Sequence, residues 1–156
     1  MPRQPRPRPD AQAGDAYRFN EQVGHLLRRA YQRHTAIFQQ VIPDSQLTVV
    51  QFVVLCAVRD AGSCSLSDVV KATAIDQATV RGVIKRLVAR RLLSLGHDSH
   101  DRRRVLLSLT AGGKALVGEM VPFAQDITEA TFAGLNPAER VAIVFLLRKM
   151  AGEDLA

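Results

Sequence analysis

"DSHDRRRVLLSLTAGG", residues 98–113, sets two aspartates and three consecutive arginines ahead of an apolar run that stops at Thr110 and two glycines. With "LLSLG" (92–96) before it, the stretch reads as two short strands around a charged loop, a β-hairpin with a basic tip. An arginine on such a tip can enter a narrow DNA minor groove, where negative potential is focused. A flexible guanidinium is a poor probe unless it is held. Asp101 stands two residues before Arg103, where a charge-assisted bidentate contact would hold it. Asp101, Arg102 and Arg103 are therefore candidate DNA contacts.

Immediately upstream, "DQATVRGVIKRLVARRLL" (76–93) places Val80, Val83, Ile84, Leu87 and Val88 at helical spacing behind a capping Asp76. Ala78, Thr79, Gly82, Lys85 and Arg86 fall on the opposite face, with Gln77 and Arg81 at its margins. Before it, "SLSD" (65–68) comes close to a capping box and opens a short helix with Leu66, Val69 and Val70 inward. Two short helices and a hairpin describe a winged helix-turn-helix, whose second helix enters the major groove. Ala78 and Gly82 are small enough for close approach, and Gln77 and Thr79 can hydrogen-bond base edges. Arg81, Lys85 and Arg86 can neutralise phosphates or read guanine. Gly82 inside a helix costs about 1 kcal/mol against alanine, which makes sense where something must come close.

The charge distribution agrees. Residues 76–114 hold nine Lys/Arg against three Asp/Glu, a surplus of six that equals the net charge of the whole chain, +6. A concentrated basic segment on a neutral body is the electrostatic footprint of a nucleic-acid-binding surface. At 156 residues and 47% hydrophobic content the chain has room for one domain with helical extensions. No apolar run approaches the ~20 residues of a membrane span. "MPRQPRPRPDAQAGD" is basic but has no apolar segment behind it, so it reads as a disordered arm rather than a secretory signal. Two cysteines, Cys56 and Cys64, form no disulfide framework, which fits a reducing cytoplasm.

The flanks are helical. Phe19, Val23, Leu26, Leu27, Ala30, Ile37, Phe38 and Val41 mark one long amphipathic helix over 17–42, broken at Pro43. "LTVVQFVVLCAV" (47–58) reads as a helix buried nearly all round, ended by Gly62. Thr110 caps a helix running to about Phe132, and Asn136 with Pro137 opens a last one. The apolar excess of that helix, Val141 and Ile143 to Leu147, calls for a partner helix and hence a homodimer. The expected fold is mainly α: a winged helix-turn-helix with a two-stranded β wing and long N- and C-terminal dimerisation helices. The divisions are a Pro/Arg-rich arm (1–16), an N-terminal dimerisation helix (17–46), the DNA-binding lobe (47–110) and C-terminal dimerisation helices (111–156).

The wing stretch resembles the signature of MarR-family transcriptional regulators, Asp-x-Arg followed by apolar residues, Leu-Thr and Gly, here Asp101, Arg103, Leu109, Thr110 and Gly113. Residues 76–93 are similar to that family's recognition helix, and the likeness covers about 17–152. It implies a homodimer on a palindromic double-stranded DNA operator, with repression relieved by a small ligand or by oxidation. "EQVGHLLRRAYQRHTAIF" (21–38) is similar to regulators of aromatic-acid breakdown, which answer to benzoate-like acids, hydroxycinnamates or their coenzyme A thioesters. The resemblance puts the effector pocket between the first helix and the DNA-binding lobe. Arg28, Arg29 or Arg33 would take the anion. Apolar walls would come from Tyr31, Phe38 and their neighbours Phe19 and Leu26, and a polar group from His34 or Tyr17.

Other readings are weaker. "HDSHD" (97–101) has metal-ligand residue types, but a hairpin turn separates them, so no metal and no cofactor is expected. No nucleophile elbow, phosphate-cradling glycine loop or paired-carboxylate site supports an enzyme. Cys64, just before the helix-turn-helix, is a candidate redox sensor, since a helix N-terminus activates a thiolate. An architectural DNA binder without an effector is the remaining alternative.

Overall fold

A computed structural model describes residues 17–153 except 100 and 102. The N-terminal arm (1–16) and the wing-tip residues His100 and Arg102 lie outside the described residues. The chain divides into two units, residues 1–32 and 33–156.

In the first unit the expected single helix from Tyr17 is interrupted. A 3-10 turn, Phe19–Glu21, sits between Arg18 and Gln22, both with extended backbone, and α1 (Val23–Val41) starts only after Gln22. The Gln22 carbonyl accepts the Leu26 N–H at 3.0 Å, opening the first turn of α1. Periodicity alone did not reveal this break, because the apolar spacing runs through it.

The second unit holds the core. It receives Phe38 from α1 and Ile42 and Leu47 from the connection to α2 (Val49–Ala61). Thr48 and Gln51 form a reciprocal capping box at the start of α2, which accounts for the burial of a glutamine side chain there. α2 ends at Gly62, whose φ of 72° suits glycine. The expectation of burial on all sides is corrected: Val49, Val54, Leu55 and Val58 face inward, whereas Val53 is exposed.

α3 (Leu66–Thr73) and α4 (Gln77–Ala89) follow, then β1 (Leu93–His97) and β2 (Val105–Leu109). The strands pair antiparallel, with Leu93 opposite Leu109 and His97 opposite Val105. α5 (Ala111–Thr131) begins at the Thr110 cap, and α6 (Pro137–Met150) at an Asn136–Glu139 capping box with Pro137 in the first turn. α5 buries Val117, Met120 and Ile127. α6 buries none of its side chains in the isolated chain, and Val141 is 73% exposed.

Candidate nucleic-acid interface

α4 is built as its sequence pattern requires. Val80, Val83, Ile84 and Leu87 are buried, while Gln77, Ala78, Thr79, Arg81, Lys85 and Arg86 are exposed and Gly82 is half-buried. The expected reading face is thus brought together on one side of one helix. Among the described residues a β-carbon at Gly82 would meet only Arg86 Nη1, at 3.7 Å, so none of them demands glycine there.

The two caps of the helix-turn-helix are tightly made. Ser65 Oγ donates to Asp68 Oδ2 at 2.6 Å, and the Ser65 N–H reaches the same oxygen at 2.9 Å. These two bonds, with Arg104 beyond them, hold the Asp68 carboxyl below its ordinary pKa. At α4, Asp76 Oδ1 accepts the Thr79 N–H at 2.9 Å and Oδ2 accepts the Thr79 hydroxyl at 2.6 Å. The hydroxyl bond and the N–H bond together keep Asp76 ionised, again below its ordinary pKa. One sequence expectation is narrowed here. The single hydroxyl proton of Thr79 is committed to its own cap, so toward a base edge this side chain can only accept.

The wing departs further from expectation. Asp101 Oδ1 accepts the main-chain N–H of Arg103 at 3.0 Å. Asp101 therefore shapes the turn instead of gripping the Arg103 guanidinium, a correction to the bidentate contact expected above. The Asp101 carbonyl accepts the Arg104 N–H at 2.9 Å, and Asp98 donates to the Arg104 carbonyl at 3.0 Å, which closes the loop. Arg103 remains exposed on it.

Arg104, absent from the sequence-derived site, turns back to the protein. Its Nη2 lies 3.2 Å from Asp68 Oδ2 and its Nη1 3.9 Å from Asp98 Oδ2. It ties the base of the wing to the first turn of α3. A second tie is main-chain: Cys64 and Leu107 exchange N–H···O bonds of 3.1 and 2.7 Å. In the sequence Arg104 is one of three consecutive arginines, and nothing local separates it from its neighbours. Its partner, Asp68, stands 36 residues earlier and was not readable from the sequence.

Cys64 is buried, and burial, helped by Asp68 nearby, pushes its thiol above the ordinary cysteine value. Burial likewise raises Cys56. The activated thiolate expected at the start of α3 is not what this environment makes.

The candidate effector residues lie along α1. Tyr17, Arg28, Arg29 and Tyr31 belong to the first unit and are exposed, and so is Arg33 in the second. Phe38, expected as a pocket wall, is in the core, its ring 6.1 Å from that of Phe52. His34 Nδ1 is 3.0 Å from Thr131 Oγ1, whose own proton goes to the Ile127 carbonyl at 2.7 Å. With that proton committed, Thr131 Oγ1 is placed to accept from His34 Nδ1.

The MarR family pattern matches residues 45–104, the stretch containing α2, α3, α4 and the wing loop. The transcriptional repressor NicR of Pseudomonas putida is 56% identical over 138 residues, 88% of this chain and 87% of NicR. The chain belongs to the MarR family. Among solved structures, BpsR of Bordetella bronchiseptica, whose DNA binding is regulated by 6-hydroxynicotinic acid, is 72% identical with a TM-score of 0.83. The match covers 88% of this chain and 99% of BpsR. A mutant MarR of Escherichia coli complexed with operator DNA is 25% identical with a TM-score of 0.78, over 86% of this chain and 99% of that one. The MarR resemblance and the winged-helix fold read from the sequence are both borne out.

Proposed function

We propose that this MarR-family regulator is a repressor that binds a palindromic operator as a homodimer and is released by a small aromatic acid. The observation that carries the DNA reading is the exposed stripe of α4, Gln77 to Arg86, beside a wing whose loop presents Arg103 and is tied to α3. Gln77, Ala78, Thr79, Arg81, Gly82, Lys85 and Arg86 form the major-groove contacts, and Asp101, Arg102 and Arg103 form or shape the wing contact.

The apolar side chains of α6 support the dimer. Phe145 and Leu146 are half exposed in the isolated chain, and a second copy would remove them from water. The division of labour is an arm over 1–16, dimerisation by 17–46 and 111–156, and DNA binding by 47–110. No described helix is long and apolar enough to cross a membrane, and the cytoplasm is the proposed compartment. We assign the chain no reaction.

For the effector, the likeness to BpsR favours a hydroxylated heteroaromatic carboxylate over a coenzyme A thioester. Arg28, Arg29 or Arg33 would take the carboxylate, with His34, Tyr17 and Tyr31 contributing polar and ring contacts. The test uses a duplex selected by the full chain from a random pool. Adding 6-hydroxynicotinic acid should dissociate the complex at concentrations where hydroxycinnamates and their thioesters act weakly. No selected sequence, or no release by any acid, would overturn the reading.

A further inference from the structure

The ion pair between Arg90 and Asp44 joins residues 46 positions apart and is the most buried one among the described residues, the side chains being 27% and 20% exposed. Asp44 lies in the connection from α1 to α2. Its Oδ1 accepts the Gln46 N–H at 2.9 Å and its carbonyl the Leu47 N–H at 2.9 Å, so Asp44 also shapes that turn. Its Oδ2 accepts Arg90 Nη2 at 2.5 Å. Burial pushes the Asp44 carboxyl up, but the Arg90 guanidinium and the Gln46 N–H outweigh it, leaving the group below its ordinary pKa and charged at neutral pH.

Arg90 stands where recognition helix and wing meet. It is the C-cap of α4, its N–H bonding the Arg86 carbonyl at 3.0 Å, and β1 starts three residues later after Arg91 at a left-handed φ of 58°. From the other side, the Thr110 hydroxyl donates to the Arg91 carbonyl at 2.7 Å. Stability alone is a poor reason for the pair. An ion pair partly withdrawn from water gives up hydration that its mutual attraction need not repay. Here Arg90 Nη1 is buried with no hydrogen-bond partner among the described residues, an added cost. What the pair does supply is a defined position for the end of α4.

We infer that Asp44 and Arg90 are positioning residues for DNA recognition, the pair fixing where α4 ends and so the angle at which helix and wing meet the operator. This rests on the DNA-binding reading above. Arg90 is then a strut, not a phosphate contact, although it lies in the basic segment.

The test uses the full chain and the selected duplex, below the unfolding range of every variant as fixed by circular dichroism. Asp44→Asn keeps the acceptor for Gln46 and removes the charge; Arg90→Met keeps the stem; Arg90→Lys keeps the charge. Asp44→Asn and Arg90→Met should each weaken operator binding by about tenfold, and the double variant no further, the non-additivity expected of contacting residues. Arg90→Lys should recover most of the loss. The dependence of binding on salt should stay unchanged, because no phosphate contact is removed. Loss of an acid would tighten binding on charge alone, so weakening at constant salt slope separates positioning from charge. Three results overturn the inference: Asp44→Asn binding as tightly as the unaltered chain, losses that add in the double variant, or a salt slope reduced by about one in Arg90→Met. If Arg90→Met does not fold, Asp44→Asn and Arg90→Lys decide the matter. An unaltered chain without sequence preference would instead defeat the DNA-binding proposal itself.

Discussion

The carbonyl oxygen of Leu92 lies 2.1 Å from where a β-carbon on Gly113 would be. The start of α5 is thus pressed against the chain between recognition helix and wing, and only glycine fits. Thr110 strengthens the same junction: its N–H donates to the Leu92 carbonyl at 3.1 Å. The Leu-Thr-Ala-Gly-Gly run, from the end of β2 into the first turn of α5, is a strap that closes the wing onto the end of α4.

Gly113→Ala should therefore destabilise the fold by about 1–3 kcal/mol, the usual cost of overpacking. Urea denaturation measures it. A midpoint within error of the unaltered chain would mean the strap moves freely.

Gly82→Ala should behave in the opposite way. No described residue opposes the added methyl, so helix propensity should raise stability by up to about 1 kcal/mol. Operator binding should fall, because in the proposed docking the methyl would enter the space the bases take. Fluorescence anisotropy on the folded variant would show this; undiminished affinity would strip Gly82 of its role.

At the wing, Arg103→Ala should weaken operator binding by about 1–3 kcal/mol. Asp101→Ala should weaken it too, through loss of the acceptor for the Arg103 N–H. Asp101→Asn keeps that acceptor and should bind close to normally. Tighter binding by Asp101→Ala would show that its charge matters more than the turn it makes.

The carboxyls of Asp68, Asp76 and Asp44 all sit below their ordinary value of 3.8. A group depressed in the folded state stabilises above its unfolded pKa, and that contribution is lost as pH falls through the folded value. Stability should hold from neutral pH down to the ordinary carboxylate range and decline below it. Asp68→Asn should flatten the decline in a series of urea midpoints taken against pH. An unchanged slope would remove Asp68 from the account.

Sequence alone was enough for the helix-turn-helix, the wing and the division of α4 into a buried and an exposed face. Those depend on short-range physics: a 3.6-residue apolar stripe, Ser65 or Asp76 capping an N–H three residues on, and alternation along a strand. The concentration of charge over 76–114 was likewise legible, since formal charge is a property of composition. Which cations remain available to DNA was decided only by tertiary structure. Arg90 and Arg104 count equally with Arg103 in the sequence, yet Asp44 takes the first and Asp68 the second, from 46 and 36 residues away. The same holds for the Cys64–Leu107 bridge, the fit of Gly113 on Leu92 and the burial of Phe38 against Phe52. A hydrogen bond or an ion pair acts over a few ångströms of space, whereas residue order sets neighbours only along the chain, so those pairings exist only once the chain has folded.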